Sequence, residues 1–483
     1  MQFIVKFYPE ITIKSRPVRV QLAKQLRDNI RRQLRAEGAE VEVIREWDHI
    51  TLRAPFDAGL HAQIVDVLKR TAGIAYFLDV LDYPFTGLDD ALTRTAELWA
   101  ERLHDRSFVV RCRRVGKHDF TSIDAERFLG GGLLAASPGS RVDVRNPDET
   151  VRVEIRHDRL YVVNQRYAGI GGFPIGSQET VVSLLSGGFD STVASYLTMR
   201  RGMRTHFCFF NLGGREHEIG VREVAHYLWS QYGSANRVKL ICVPFEGVVA
   251  DILKNVNDSY MGVVLKRVML RAATEVATQL GAQALVTGEA VAQVSSQTLT
   301  NLSIIDRATD MLVLRPLITT GKGDIINIAA TIGTEQFAAR MPEYCGVISV
   351  KPTTRAKPER VEHEESKLSA EVLEAALAAA RYVNIDEVAD EVLTATTVET
   401  LPAPLPDAVI IDVRAPLERE RNPLRAGNVQ VEHIPFYELA TRFAGLPADT
   451  VYMLYCDKGV MSRLQAAHLA EQGYDNIKVY RPG

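Results

Sequence analysis

The chain has no Cys-X-X-Cys pair. Its five cysteines, Cys112, Cys208, Cys242, Cys345 and Cys456, stand apart. That argues against a zinc site or an iron–sulfur cluster, and no resident metal is expected. No apolar run approaches the ~20 residues that a membrane span needs. The opening MQFIVKFYPEITIK lacks the apolar core and small-residue cleavage site of a signal peptide. A cytoplasmic protein without a membrane partner is therefore expected. In that reducing setting an isolated cysteine is either buried filler or chemistry. A large excess of one charge is missing too. The net charge of −3 argues against wholesale coating of nucleic acid, so any basic surface must be local. The Walker A pattern GxxxxGK[ST] is absent, which excludes an ordinary kinase or GTPase loop. No internal repeat or low-complexity tract is evident.

What is present is a succession of different patterns. MQFIVKFY alternates as a strand does. Val18, Leu22, Leu26, Ile30 and Leu34 then recur every four residues, one face of an amphipathic helix. Eight basic residues stand against one acid, Asp28, between Lys14 and Arg35. VEVIREWDHITLRA reads as a strand pair, closing a small α+β unit near residue 60. In the next stretch SFVVRCRRVGKHDF is a strand bearing Arg111, Arg113, Arg114 and Lys117. Thr121, three residues before Asp124, caps a helix. TVRVEIRHDRLYVVNQRY reads as a hairpin and the Gly-rich AGIGGFPIGSQE as a linker. From about 178 to 345 apolar runs alternate with helix-like segments, the signature of a parallel sheet covered on both faces. KPTTRAKPERVEHEES, residues 351–366, reads as a charged linker before an Ala/Leu-rich helix. Short strands return in the last eighty or so residues. The expected divisions are 1–60, 61–165, 166–350, 351–403 and 404–483.

SLLSGGFDSTVASY, residues 183–196, holds the clearest chemistry. A strand runs into a helix, so the loop presents free backbone N–H groups and the positive end of a helix dipole to an anion. Gly187 and Gly188 let the backbone come close, and Ser186 and Ser191 add hydroxyls. Two glycines alone would mean only a tight turn. Six residues in the order S-G-G-F-D-S at that junction mean phosphate binding.

This loop resembles the pyrophosphate loop of the ATP pyrophosphatases. FFNLGGREHEIG, VVLKRVMLRAA, TGEAVAQVSSQTL and MPEYCGVIS resemble the tRNA 4-thiouridine synthetases, in that family's long form with a C-terminal rhodanese domain. The resemblance implies a multidomain α/β and α+β protein. Its parts would be a ferredoxin-like domain, a THUMP RNA-binding domain, a doubly wound parallel-sheet ATP pyrophosphatase domain, and an α/β rhodanese domain. It implies ATP and Mg²⁺ as cofactors. The ATP site would comprise strand-end backbone at Leu184 and Leu185, the loop Ser186, Gly187, Gly188, Asp190 and Ser191, and Lys266, Gly288 and Gln297. Asp190 would serve catalysis. Lys266 would neutralise leaving pyrophosphate, although by spacing alone it is an ordinary solvated helix lysine. Gly288 would clear room for the nucleotide at the sheet's carboxyl edge. The chain departs from the family at Ala292, where the family has Gly, and at Gly321-Lys322, where it has Asp-Lys.

VYMLYCDKGVMSRLQAAHL places Cys456 at a strand end before a helix, with Lys458 and Arg463 near in sequence. Helix N-terminus and cations alike favour thiolate. With IIDVRAPLERE and HIPF upstream in rhodanese order, Cys456 is expected to carry sulfur as a persulfide. Cys345, in a loop between Pro342 and Gly346, is on the resemblance a second redox cysteine that closes a Cys345–Cys456 disulfide. The remaining cysteines read as structural. The basic stretches fall in the two domains that the resemblance assigns to RNA, which marks Arg111, Arg113, Arg114 and Lys117 as candidates for tRNA contact.

The resemblance therefore implies adenylation of O4 of uridine 8 in tRNA, then sulfur delivery from Cys456. A cysteine desulfurase would load the sulfur. A second role would pass sulfur to a small carrier protein's thiocarboxylate, towards the thiazole of thiamine. The rival readings are a 2-thiouridine or 2-thiocytidine enzyme, or a tRNA-binding sulfur relay without base modification. The oligomeric state stays open, a homodimer included.

Overall fold

The structure is a computed structural model. It describes residues 1–482 apart from 213–214, 340, 342–350, 389–397, 415, 425, 428 and 458. Two compact units result, Met1–Pro174 and Ile175–Gly483.

In the first unit one eight-stranded sheet runs through the whole stretch. Its order is Glu42–Arg45, His49–Arg53, Gln2–Phe7, Ile74–Pro84, Arg159–Gly171, Glu149–Arg156, Ser107–Val115, Arg141–Val142. The four-residue repeat does form a helix, Arg16–Ala36. It buries Leu22, Leu26, Ile30 and Leu34 while Val18 stays exposed. That core does not stop at residue 60, because Ile64, Val67, Leu68, Ile74 and Phe77 pack into it. A second core gathers Phe108, Val110, Cys112, Leu129, Val153 and Val162. The helix Ser122–Ala136 starts with the expected capping box of Thr121 and Asp124. A buried ion chain crosses the sheet: Lys6 to Glu154 (3.1 Å), Glu154 to Arg156 (2.8 Å) and Arg156 to Asp48 (3.1 Å). The Gly-rich stretch read as a linker is partly strand, since Arg159–Gly171 runs through its first residues.

The second unit holds two sheets. The larger has six strands in the order Leu312–Leu314, Ala284–Val286, Gln178–Leu184, Met203–Asn211, Lys239–Pro244, Arg381–Asn384. Five are parallel and the last is antiparallel. The chain builds outward one way from Gln178–Leu184, then returns to build the other way. The carboxyl end of that strand is thus a topological switch point, where open α/β sheets bind ligands. The smaller sheet is all parallel, in the order Thr400–Leu401, Ile477–Tyr480, Tyr452–Tyr455, Val409–Asp412, Val431–His433. Residues 351–366 are not a free linker. Helix Pro358–Glu365 buries Val361, and Arg267 donates to Glu365 at 2.7 Å. The apolar side of that charged stretch pins it to the larger sheet's helices. Among the described residues no helix is long and apolar enough to cross a membrane.

His206 lies buried in the larger sheet, and its Nδ1 accepts the Lys239 N–H at 2.8 Å. Burial, with Arg204 and Lys239 nearby, pushes its pKa down to about 4. The unfolded chain takes up that proton near pH 6.5, the folded chain only near 4. The stabilisation is therefore complete above about pH 6.5 and is lost as pH falls towards 4, an effect of up to about 3 kcal/mol. Denaturant melts at pH 7.5 and pH 5 should show this loss, and His206→Gln should flatten it.

Candidate active site

The loop begins where strand Gln178–Leu184 ends. Leu185 N–H donates to Cys208 O at 2.8 Å, so that N–H is spent in the sheet's ladder. Gly187 then takes φ +84°, in the left-handed region where glycine carries no penalty. A Cβ there would also lie 2.9 Å from the Met341 sulfur. Gly188 caps the helix Phe189–Arg200, whose first turn carries Asp190. The two hydroxyls meet within the loop. Ser191 Oγ accepts the Ser186 N–H (3.1 Å), lies 3.0 Å from Ser186 Oγ and donates to Gly188 O (3.3 Å). With its hydrogen given to Gly188, Ser191 is an internal brace.

Asp190 is held from two sides. Lys322 Nζ reaches both its oxygens, at 3.0 and 2.9 Å, and Gln293 Nε2 donates to Oδ2 at 2.9 Å. Lys322 opens the helix Lys322–Thr331 and also lies 5.4 Å from the centre of the Phe189 ring. Sequence reasoning gave it no role, though its lysine type at a helix start beside a Gly was visible. Lys266 is not the solvated helix lysine that its spacing alone suggested. Its Nζ donates to Glu289 Oε1 at 2.8 Å, and Arg315 holds the other oxygen at 2.9 Å. Burial pushes the Glu289 carboxyl up, but the two cations outweigh it and hold it below the usual range.

Gly288 has a reason to be glycine within the protein itself. A Cβ there would lie 2.5 Å from the Asp190 carbonyl carbon and 2.6 Å from Ser191 N. The strand end and the loop helix touch backbone to backbone. Gln297 closes the far side in a short 3-10 turn, where Ala292 N–H donates to its carbonyl. Its side-chain Oε1 is buried without a hydrogen-bond partner. A buried acceptor left over beside an anion-binding loop fits a ligand with N–H donors, as adenine has. Ala292 takes φ +64°, a strained backbone for alanine.

Helix Arg215–Leu228, in the stretch quoted for its family likeness, touches the phosphate loop and the helix that follows Cys456. His217 Nε2 donates to Ser186 O at 3.0 Å, and its ring meets Phe209 edge-on. Burial pushes the His217 pKa down, against the pull of that carbonyl. Further along, Ile219 packs on Val460, Leu464 and Ala467 of the helix Val460–Glu471, and Gln465 Nε2 donates to Glu223 Oε1 at 3.0 Å. Phe337 and Phe436 stack at 4.9 Å. The tail is therefore docked on the larger sheet's helices.

Cys456 follows strand Tyr452–Tyr455, and its thiol sits over the start of the next helix. Its Sγ accepts the Ser462 N–H (3.3 Å) and meets Ser462 Oγ (3.4 Å). The expectation that this cradle favours thiolate needs correction. Burial dominates and pushes the thiol up, against the Ser462 hydroxyl and the Ser462 and Met461 amides. Arg463 Nε is turned to Gly459 O, 2.7 Å away. Lys458 and Cys345 lie outside the described residues. So the Cys345–Cys456 pairing is not described. Met341, beside Gly187, is four residues before Cys345, at most about 14 Å of extended chain.

The basic quartet divides. Arg111 and Arg113 are exposed on one face of their strand, Cys112 between them enters the core, and Arg114 bonds Gly116 O on the other side. Arg113 lies 3.6 Å from Asp48. Lys117 is exposed beyond the strand.

Residues 2–77 match the ThiI ferredoxin-like domain, 87–163 the THUMP domain, 176–370 the family described as thiamine biosynthesis protein (ThiI), and 397–483 the rhodanese-like domain. The chain is 51% identical over 486 residues to a tRNA sulfurtransferase of Shewanella amazonensis. It is 53% identical over 483 residues to one of Pseudomonas aeruginosa. Each comparison covers 100% of both chains. A 4-thiouridine synthetase, solved as an RNA complex with bound ATP, is similar at 27% identity and TM-score 0.70. That likeness covers 79% of this chain and 99% of the other.

Three variants test this geometry. Gly288→Ala should cost about 1–3 kcal/mol and displace the loop, because backbone cannot yield as a side chain can. Ala292→Gly should gain up to about 1 kcal/mol by relieving the left-handed alanine. Thermal melts with ATP turnover check both. Ser462→Ala should slow alkylation of Cys456 by iodoacetamide at pH 7.5, since the thiol loses a donor that favours thiolate. Unchanged or faster alkylation would refute the cradle.

Proposed function

The chain belongs to the tRNA sulfurtransferase family, and on that premise we propose that it converts uridine 8 of tRNA to 4-thiouridine with ATP. One observation carries the reading. A single helix, Arg215–Leu228, bonds the phosphate-binding loop through His217 and seats the helix that follows Cys456. Activation and sulfur delivery thus share one support.

In the first step uridine O4 attacks the α-phosphorus of ATP, pyrophosphate leaves, and AMP remains on O4. A carbonyl-type oxygen leaves poorly; as AMP it leaves well. The loop N–H groups and helix start offset the phosphate charge. Lys322 is the cation nearest to exchange Asp190 for a phosphate, because it bonds through an exposed amine. Asp190 would then be released to hold Mg²⁺, which takes one or two carboxylates together with substrate phosphates. Mg²⁺ would offset charge on those phosphates. Gln297 Oε1 suits an adenine amino group.

In the second step the outer sulfur of a Cys456 persulfide attacks C4, loses its proton and expels AMP. C4 is then joined through sulfur to Cys456. A Cys345 thiolate attacks the Cys456 sulfur, the 4-thiouridine sulfur leaves with the bonding electrons, and a Cys345–Cys456 disulfide remains. Alternatively Cys345 attacks the persulfide first and frees sulfide, which then attacks C4. Either route consumes one dithiol equivalent per turnover. We assign persulfide loading to a cysteine desulfurase, a second transfer to a thiazole-pathway carrier protein, and the cytoplasm as the setting.

Nucleoside mass spectrometry after incubation with tRNA, ATP and a sulfur donor should show 4-thiouridine, with AMP formed only when tRNA is present. Asp190→Ala should lose AMP formation and keep tRNA binding near normal. Cys456→Ser should lose persulfide loading, whereas Cys345→Ser should load and fail to finish. A non-reducing peptide map after one turnover should contain the Cys345–Cys456 cross-link. Free Cys345 with continued turnover in the absence of reductant would refute the disulfide route.

A further inference from the structure

A cavity of about 420 Å³ opens on the first unit, and Arg111, Arg113, Arg114 and Lys117 are not among the residues that line it. Its walls come from the segment after helix Leu88–Trp99 and from strands Glu149–Arg156 and Arg159–Gly171. Four arginines line it, Arg102, Arg106, Arg152 and Arg166, against one acid, Glu149, which leaves an excess of three positive charges. Glu149 is taken by Arg106 at 2.6 Å. Among the described residues the other three have no carboxylate partner. Arg102 bonds Asn164 Oδ1 at 2.9 Å and lies over the Trp99 ring. Arg166 stacks on Tyr76 with 4.2 Å to the ring centre. Arg152 reaches only the Thr150 carbonyl, at 3.4 Å.

The sheet makes this crowding worse. Arg152 stands directly opposite Arg111 on the neighbouring strand. Like charges so placed repel, and the carboxylate nearest Arg111, Glu126, stands 3.7 Å off. Burial and then Arg166 and Arg111 push the Arg152 guanidinium below its ordinary value, with Tyr76 the one opposing influence. Folding alone gives no reason to gather cations that no carboxylate balances. Guanidinium forks match phosphate oxygens, and flat aromatic and guanidinium faces match bases.

We propose that this cavity is a subsite for one nucleotide of the RNA substrate, with Arg152 and Arg166 on its phosphate and the Trp99–Arg102 side against its base. The proposal rests on the tRNA reading above and adds residues to it. Binding a phosphate would relieve the Arg111–Arg152 opposition, so the sheet's unfavourable pair becomes part of the affinity for RNA.

The test uses the full chain and two titrants, tRNA and inorganic phosphate alone. Arg152→Ala with Arg166→Ala should weaken tRNA binding at least about tenfold at low salt. The slope of log affinity against log salt should fall by about 0.8, the release expected for one phosphate. Loss of both titrants assigns the cavity to phosphate in general, and loss of tRNA alone assigns it to the RNA backbone. Unchanged tRNA affinity and slope overturn the proposal, whatever happens to free phosphate. Glu149→Gln needs no loss of folding to be informative. It removes the cavity's one acid and should tighten tRNA binding about threefold or more; unchanged or weaker binding overturns the proposal. Failure of the unmodified chain to bind tRNA would instead refute the tRNA reading itself.

Discussion

Arg222 is among the largest side chains in the molecule to be fully buried, and much of the second unit depends on how its charge is met. Its Nε and Nη2 donate to Glu218 at 3.0 and 2.7 Å, and Nη1 donates to Val388 O. Glu218 is also bonded by Asn211, at the end of a central strand, and by Arg381, on the antiparallel edge strand. A buried charge is costly unless paired and hydrogen-bonded, so this arrangement leaves helix Arg215–Leu228 little freedom. The helix is then a fixed bar between two chemistries. One turn touches Ser186, the next meets Val460 and Leu464, and Glu223 takes Gln465.

The charges around the phosphate loop are balanced before any nucleotide arrives. Asp190 has Lys322, Glu289 has Lys266 and Arg315, and Arg315 also holds Asp306. The loop N–H groups can meet an anion directly, whereas these side-chain cations reach one only by exchanging partners. The two groups differ in how readily they can take part. Glu289 is buried between two cations, a setting in which removing one partner strands a charge. The Asp190–Lys322 pair is far more exposed, and so is cheaper to open. The scaffold and the switch are thus distinguished by burial.

Much of this was legible in the sequence. The S-G-G-F-D-S order at a strand-to-helix junction fixed the loop's place. The alternation of apolar runs gave the parallel sheet, and the order of short strands gave the tail. What was not legible depends on distance in space. Nothing in the spacing could show that Lys266 faces Glu289, 23 residues on, or that Gly288 meets the backbone of Asp190. Thiol acidity at Cys456 was misjudged because the sequence displays neighbouring cations but not depth of burial. The charged 351–366 stretch looked solvated because Val361 and the Arg267–Glu365 pair count only once the helix is docked. The alternation along the basic strand assigns faces and says nothing of cross-strand partners such as Arg152.

The three tryptophans are unevenly placed. Trp47 and Trp99 lie in the first unit, and Trp229 alone lies in the second. Trp229 begins the π-helical turn Trp229–Gly233 that ends the Arg215–Leu228 bar, where its indole N–H donates to Asn236 O and its ring lies 5.7 Å from His226. A chain reduced to that one indole, with Phe at 47 and 99, would carry a native optical probe at the end of the element joining the nucleotide loop to the sulfur loop. Its emission colour would follow solvation at that turn. Movement of the tail on its seat could then be watched in real time without a dye.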